Sequence, residues 1–308
     1  MNKKLKIQHH KTMDKVQGSF ILGSEWLYYK IYTGPKTSDL VLTEIIKPEA
    51  EWLLSNNIID QWFFIRYSDP KHHIRVRFHF KDLENVGKVI NRLYTKLNEF
   101  INEEMIWKIQ IDTYQRELER YGHKTMVQSE KLFFYESKMI VDFLDMIDGD
   151  EGEELRWLFG VRAIDMLLDD FEYDDDRKLA LLERLKLGFG AEFGMNKALK
   201  KQLDKKFREE KDKINDFLVF EKEMNPDYVP IIDALQEKSL ATKPIVKTIL
   251  PIVSKERLDD IMGSYIHMLM NRLFRSKNRL HEMVIYDLLY RTYKVAWGIR
   301  KFKNTAKS

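Results

Sequence analysis

The segment at residues 62–80, WFFIRYSDPKHHIRVRFHF, constrains the fold of this chain more than any other. It contains two apolar, strand-like runs joined by a turn at Asp69-Pro70, a pattern typical of adjacent antiparallel strands. Arg75 and Arg77 are two residues apart, so on a strand both side chains point to the same face. Two guanidiniums on one rigid face can bind a carboxylate or a phosphate in forked geometry. The segment therefore predicts a sheet that carries a site for an anion.

The apolar pattern on either side of this segment indicates how strands and helices alternate in the first part of the chain. Strands are expected at residues 25–33, 59–67, 73–81 and 106–118, with helices at 38–54 and from Asp82 to about residue 101. We expect Ser38 or Asp39 to cap the first of these helices. The order of strand, helix, strand, strand, helix and strand is the split βαβ, or ferredoxin-like, arrangement. It predicts an antiparallel sheet with helices on one face.

The rest of the chain has an almost entirely helical pattern. Helices are expected at residues 127–147, 153–169, 176–188, 196–223, 229–240, 255–275 and 280–297. The acidic stretches at residues 148–154 and 174–176 are expected to be solvated loops between them. The fold class predicted for the whole chain is therefore α+β, a ferredoxin-like sheet followed by a mainly helical part.

The expected domain organisation is a single unit. The chain has 308 residues, which is enough to bury a substantial core. We expect one domain at residues 20–298, with its α+β part at about 20–125 and its helical part at about 126–298. Residues 1–19 are expected to form a flexible arm, and residues 299–308 a tail.

Composition excludes several classes of function. The 52 basic and 49 acidic residues leave a net charge of +3, so any basic site must be local, and direct binding of nucleic acid is not expected. The absence of cysteine excludes disulfides, thiolate metal sites and cysteine nucleophiles. No apolar run resembles a signal peptide or approaches the ~18 residues of a spanning helix. We therefore expect a soluble, cytoplasmic protein.

Arg66 adds a third guanidinium to the pair formed by Arg75 and Arg77, on the neighbouring strand. Ion pairs with nearby carboxylates such as Asp69 or Glu117 are the alternative to a ligand site. For one arginine alone on a strand, the ion-pair interpretation would be preferable. For three arginines on adjacent strands, we favour a site for an anionic ligand.

Two further segments supply candidate residues for the same site. DTYQRELERYGHKT, at residues 112–125, places Arg116 and Arg120 at the end of a predicted strand, where binding sites are often built. In the helix at 263–278, His267 and Asn271 are four residues apart and share a face. A histidine among apolar neighbours is usually a core residue, but a half-buried imidazole with a polar partner can act as a general base.

Metal and cofactor motifs are missing from the sequence. His72 and His73 are adjacent, so on a strand they face opposite ways, and His9 and His10 lie in the expected arm. No Walker loop, GxGxxG, HExxH or GxSxG pattern is present. We expect neither a metal nor a cofactor.

Four segments, taken in order, resemble a known family. They are SEWLYYKIYTG, WFFIRYSDPKHHIRVRF, DTYQRELERYG, and YIHMLMNRLF followed by Glu282. Together they are similar to the thiopeptide-type bacteriocin biosynthesis domain, which is also the C-terminal glutamate-elimination domain of class I lantibiotic dehydratases. The resemblance extends from about residue 20 to residue 298, and this sequence departs from the family pattern at His123, in FFYES and at Arg275.

The resemblance implies a lyase that acts on a ribosomal precursor peptide. A companion protein esterifies Ser or Thr with glutamate from glutamyl-tRNA, and the elimination domain removes the Cα proton and expels glutamate, leaving dehydroalanine or dehydrobutyrine. By this resemblance His267 would be the general base or a proton shuttle, Arg75 and Arg77 would hold the glutamyl group or the enolate, and Arg116 or Arg120 would complete the anion site. We also expect contacts to the substrate from Arg66, His73, Tyr114, Asn271 and Arg272.

The partners implied are a glutamylated precursor peptide and a companion glutamyl-tRNA-dependent dehydratase subunit, with a cyclase and a second copy of the chain as further candidates. Two other functions remain open. A related branch of the family joins two dehydroalanines into a pyridine ring by cycloaddition. A scaffold without catalytic activity could instead bind a leader peptide along an exposed strand edge.

Overall fold

The computed structural model describes residues 16–220 and 226–305. Its main sheet contains four antiparallel strands in the order β3-β4-β2-β5. The strands are β2 (Trp26–Thr33), β3 (Gln61–Tyr67), β4 (His73–His79) and β5 (Ile106–Asp112). This is the strand order of a ferredoxin-like sheet, so the predicted fold class is confirmed.

A short second sheet joins the start of the described chain to the segment after β5. Its strands are β1 (Ser19–Phe20) and β6 (Tyr114–Gln115), which pair antiparallel. Ser19 therefore lies in a strand and not in the flexible arm expected for residues 1–19. Residues 1–15 of that arm lie outside the described residues.

One face of the main sheet packs on the first helices. These are a continuous helical run, with α1 (Thr37–Leu40), a π-helical stretch (Val41–Ile46) and α2 (Lys47–Ser55), and then α3 (Val86–Asn102), which follows a short 3-10 turn (Leu83–Asn85). Phe64, Val76 and Ile31 point to this face and are fully buried. Since side chains alternate along a strand, the neighbouring residues of each strand point to the opposite face.

The helical part packs against β3, at one edge of the main sheet. It consists of α4 (Leu118–Tyr121), α5 (Met126–Met146), α6 (Gly149–Asp170), α7 (Asp175–Glu192), α8 (Lys197–Leu218), α9 (Val229–Ile249), α10 (Lys255–Leu273) and α11 (Asn278–Thr305). It contacts β3 through α5 and α10. Helix α11 extends through the start of the expected tail, and α9 continues nine residues past its expected end at 240.

The two acidic stretches expected as loops are instead helix starts. The side chain of Asp148 accepts a hydrogen bond from the backbone of Gly149 at the start of α6. Asp174 accepts one from the backbone of Arg177 at the start of α7. Carboxylates are stabilised at a helix N-terminus by free N–H groups and by the helix dipole, so a cluster of acidic residues is compatible with a cap.

Side chains from the helical part occupy the outer edge of β3. The amide of Asn271 in α10 accepts from the backbone N–H of Arg66 at 2.9 Å and donates to its carbonyl at 2.8 Å. Arg272 donates to the carbonyl of Phe64, and the backbone N–H of Phe64 donates to the hydroxyl of Ser137 in α5. This edge of the sheet is therefore not open to a peptide, and β5 forms the opposite edge.

Asp39 links three parts of the chain from a buried position. It accepts hydrogen bonds from Arg66 at 2.6 Å, Arg156 at 2.8 Å and Arg275 at 2.5 Å. Burial alone would raise the pKa of this carboxyl, but the three guanidiniums outweigh it and hold the pKa below its usual value. The prediction that Ser38 or Asp39 caps the first helix is wrong, because both side chains bind Arg66 instead.

Replacing Asp39 by asparagine is expected to lower the free energy of unfolding by about 3–5 kcal/mol, because three guanidiniums would lose their shared buried carboxylate. The measurement is urea unfolding of both proteins at neutral pH. Asp145→Asn is the matched control, since Asp145 pairs with Lys47 at an exposed position and its loss is expected to cost less than about 1 kcal/mol. Equal effects of the two substitutions would contradict the role assigned to Asp39.

Candidate active site

A pocket of about 630 Å³ lies on the sheet face opposite the first helices. We call it the main pocket. In the strand register, Arg77 of β4 lies beside Tyr28 of β2, and Arg75 lies beside Lys30. Six of the ten predicted site residues line it, namely Arg75, Arg77, Arg116, Arg120, His267 and Asn271. The two-residue period of the strands, together with α10, brings these residues to one place.

Arg77 is held in the wall of the main pocket by aromatic rings. Its guanidinium carbon lies 4.4 Å from the ring centre of Tyr28, 4.8 Å from that of Tyr114 and 5.0 Å from that of Phe63. Burial lowers the pKa of Arg77, but a guanidinium stays charged near neutral pH. Among the described residues, its buried Nε and Nη1 atoms have no hydrogen-bond partner. A buried cation with free donors is costly, so this arrangement favours a bound anion.

Arg75 is oriented by His73. Its Nε donates to Nε2 of His73 at 3.0 Å, and its guanidinium stacks at 3.5 Å on the ring of Tyr67. Since Nε2 accepts this bond, the ring proton is on Nδ1, which donates to the carbonyl of Lys71 at 2.8 Å. Burial, and then the charge of Arg75, lower the pKa of His73 and keep it neutral. The structure places His73 behind Arg75 and so does not support the expected contact with substrate.

The stability of the protein is expected to fall between about pH 7 and pH 5 as His73 becomes protonated. Its folded-state pKa lies below the ordinary 6.5, so the neutral ring contributes fully above about pH 6.5, and this contribution is lost as the pH falls through the folded-state value. Urea unfolding at both pH values should show a smaller pH dependence for His73→Asn than for the unsubstituted protein. An unchanged dependence would contradict the assignment.

His267 projects from α10 into the main pocket with a carboxylate behind it. Its Nδ1 lies 2.8 Å from Oε1 of Glu282 in α11, a residue that is fully buried. Tyr286 donates to the other oxygen of Glu282 at 3.3 Å. Because Nδ1 is engaged, Nε2 is the nitrogen that can exchange a proton with a ligand. The pair has the geometry of a general base oriented by a carboxylate.

Arg116 and Arg120 differ in how far they are committed to protein partners. Arg116 binds both oxygens of the buried Glu130 at 2.7 Å, and Tyr114 donates to the same carboxylate. Arg120 is exposed and pairs with Glu117, which is also exposed, at 3.0 Å. An exposed pair of this kind is weak and can exchange for a ligand. The structure therefore favours Arg120 over Arg116 as the third arginine.

Three predicted contact residues have other roles. Arg66 points to the opposite face of the sheet, where it binds Asp39, so the expectation that it contacts a substrate in this pocket is not supported. The amide of Asn271 is used by the backbone of Arg66. Arg272 is fully buried and pairs with Glu136 at 2.8 Å, although its Nη2 has no hydrogen-bond partner among the described residues.

Sequence reasoning missed several residues of the pocket. Tyr28 and Lys30 line it from β2, and the two-residue period of that strand could have indicated them. Glu117 also lines it, although the sequence suggested this residue only as a possible ion-pair partner of the strand arginines. Glu282 was noted only as part of a family pattern. Nothing in the sequence showed that it reaches His267, because the two residues lie on different helices.

A larger cavity, of about 730 Å³, lies between α7, α8 and α11. Asp287, which is buried there, pairs with Lys186 at 2.8 Å and with Arg291 at 2.6 Å. The buried charges of this cavity are therefore paired with one another, and no histidine is among the described residues that line it. We therefore assign the site to the smaller main pocket.

In the part of the chain that the structure describes, no group of three or more histidine and acidic side chains is placed to hold a metal ion. His9 and His10 lie outside it. No described helix is both long enough and apolar enough to cross a membrane.

Comparison with known proteins identifies the family. Residues 26–293 match the family described as Lantibiotic biosynthesis dehydratase C-term. The chain therefore belongs to this family. Subtilin biosynthesis protein SpaB of Bacillus subtilis is 24% identical over 273 residues, which cover 85% of this chain and 25% of SpaB. The chain spans about a quarter of the length of the curated relatives that it matches.

Solved structures show the same fold at lower sequence identity. The tRNA-dependent lantibiotic dehydratase MibB from Microbispora sp. 107891 superposes with a TM-score of 0.71 and 20% identity, over 91% of this chain and 29% of MibB. The pyridine synthase TbtD from thiomuracin biosynthesis superposes with a TM-score of 0.59 and 10% identity, over 90% of this chain and all of TbtD. At these identities the comparison concerns the fold alone.

Proposed function

We propose that this protein removes glutamate from glutamylated Ser or Thr residues of a ribosomal precursor peptide, leaving dehydroalanine or dehydrobutyrine. The observation that carries the proposal is the arrangement of His267, oriented by the buried Glu282, in the same pocket as Arg77, whose Nε and Nη1 have no hydrogen-bond partner among the described residues. One supplies a base, and the other supplies a fixed positive charge for an anion. Membership of the dehydratase family supports a role in lanthipeptide dehydration.

The proposed reaction is a β-elimination. Nε2 of His267 takes the Cα proton of the esterified residue, and the electron pair forms the Cα–Cβ double bond as the bond from Cβ to the ester oxygen breaks. Glutamate leaves with the electrons of that bond as a carboxylate. Negative charge grows on the adjacent carbonyl oxygen and on the departing glutamate as the proton is removed, and Arg75 and Arg77 stabilise it. Arg120 can join them by exchanging its bond to Glu117.

The proposal requires a second protein that makes the ester. We assign this step to a companion dehydratase subunit that draws glutamate from glutamyl-tRNA, which places both steps in the cytoplasm. The product residues are acceptors for a cyclase. The elimination step assigned to this chain requires no cofactor and no direct contact with nucleic acid.

The test offers the purified protein a peptide that carries a glutamyl ester on one serine. Mass spectrometry is expected to show loss of glutamate and a dehydroalanine in the peptide, faster than in a sample without protein. The same peptide without the ester is the control and should remain unchanged. An ester that persists over a long incubation would sink the proposal.

A second substrate separates elimination from the cycloaddition that forms pyridines. A peptide with two dehydroalanines contains no glutamyl group for the arginines to bind, so we expect it to stay linear. Formation of a ring from this peptide, with the glutamyl ester left intact, would favour the cycloaddition.

A further inference from the structure

A small cavity of about 30 Å³ lies beside the main pocket, and Arg77 and Met268 border both. We call it the inner chamber. Tyr121, Arg272 and Phe133 also line it. Its volume is enough for one small group, such as a carboxylate, and too small for a whole amino acid.

Three side chains of the inner chamber have buried hydrogen-bond donors that no described residue satisfies. The free atoms are Nε and Nη1 of Arg77, Nη2 of Arg272 and the hydroxyl of Tyr121. The exposed fractions of these residues are 7%, 0% and 2%. Buried polar groups are nearly always hydrogen-bonded, and each one left unpaired is costly. Four such donors, on three side chains in the wall of one cavity, indicate that the cavity binds a hydrogen-bond acceptor.

The charges around the inner chamber favour an anion as that acceptor. Burial raises the pKa of Tyr121, so its hydroxyl keeps its proton and can donate. Arg272 shares its charge with Glu136, whereas Arg77 forms no ion pair within the described chain. Glu117 also borders the cavity, but it is half-exposed and paired with Arg120. An acceptor with two oxygens and a negative charge fits this set of donors.

We propose that the inner chamber binds the free carboxylate of the glutamyl group and thereby selects glutamate as the leaving group. This inference rests on the proposed function. Glutamate drawn from glutamyl-tRNA is activated at its α-carboxyl, so it forms the ester through that group, and its side-chain carboxylate remains free and charged. The chamber has room for that group alone, while the main pocket holds the ester next to His267. Tyr121 and Arg272 are then specificity-determining residues, and Arg77 lies between the two compartments.

The test measures binding of free glutamate and free glutamine to the full chain by titration calorimetry. The two ligands have nearly the same shape, but glutamine replaces the side-chain carboxylate with a neutral amide. We expect the unsubstituted protein to prefer glutamate. Tyr121→Phe is expected to weaken glutamate binding by about 10- to 100-fold, since one hydrogen bond to a charged group is lost, and to leave glutamine binding unchanged.

The control is Tyr265→Phe. Tyr265 stacks on Tyr121 at 5.6 Å, but its hydroxyl bonds to Ser129, away from the inner chamber, so the preference for glutamate should be retained. Tyr121→Phe should not lower the melting temperature, because the hydroxyl that it removes has no partner in the described chain. Loss of binding together with loss of stability would count against the proposal.

The outcomes for the inner chamber and for the proposed function are separable. If the protein eliminates glutamate but Tyr121→Phe retains the preference for glutamate over glutamine, the chamber holds only water and this inference fails alone. If Tyr121→Phe removes the preference but no ester is eliminated, glutamate recognition stands and the proposed reaction fails. Equal affinity of the unsubstituted protein for both amino acids would also overturn the inference.

Discussion

Replacing His267 by alanine is expected to slow the loss of glutamate from a glutamylated peptide by about 10²–10⁴-fold. The imidazole is the base that the geometry offers to the Cα proton, and Glu282 holds it at 2.8 Å in one orientation. The effect should fall on the chemical step, because the arginines that bind the anion remain in place. Single-turnover measurement of glutamate release, with a separate measurement of peptide binding, distinguishes the two steps.

His79→Ala is the control for this substitution. His79 pairs with Asp60 at 2.5 Å at the far end of β4 and does not line the main pocket, so glutamate release should be unchanged. A His267→Ala protein that binds peptide normally and releases glutamate within about tenfold of the unsubstituted rate would remove His267 as the base.

Replacing Arg77 by methionine is expected to abolish glutamate elimination without unfolding the protein. Removing a single preorganised donor to a developing charge costs about 10²–10³ in rate, and Arg77 supplies more than one. Among the described residues, two donors of its buried guanidinium have no partner, so methionine relieves a desolvation cost while losing contacts with three rings. Since these effects oppose each other, the free energy of unfolding should stay within about 1 kcal/mol or rise.

Arg66→Met is the matched comparison, because it makes the same chemical change on the neighbouring strand. Arg66 is as buried as Arg77, but it is bound to Asp39, so its loss is expected to cost about 3–5 kcal/mol. In urea unfolding, Arg66→Met should therefore lose stability while Arg77→Met keeps it. In the glutamate-release assay, Arg77→Met should lose activity while the folded fraction of Arg66→Met keeps it. If Arg77→Met destabilised the protein as strongly as Arg66→Met, Arg77 would be a structural residue and the anion site would lose its main support.

Much of the fold could be predicted from local patterns in the sequence. The four strands and their order follow from apolar runs and turns, and the structure has the expected ferredoxin-like sheet. The errors were at helix ends. Asp39 was expected at a cap and is a buried link between distant arginines, while the acidic stretch at residues 148–154 starts a helix. Polar residues have similar local preferences for caps and loops, so only their distant contacts distinguish these roles.

The sequence by itself determined that Arg75 and Arg77 share a sheet face, because the side-chain period of a strand is two. It could not determine which buried arginine lacks a counter-charge. Arg66 and Arg116 are neutralised by Asp39 and Glu130, whereas Arg77 packs against aromatic rings and has no ion pair among the described residues. Only the tertiary structure decided this, since pairing depends on carboxylates that other elements bring into contact.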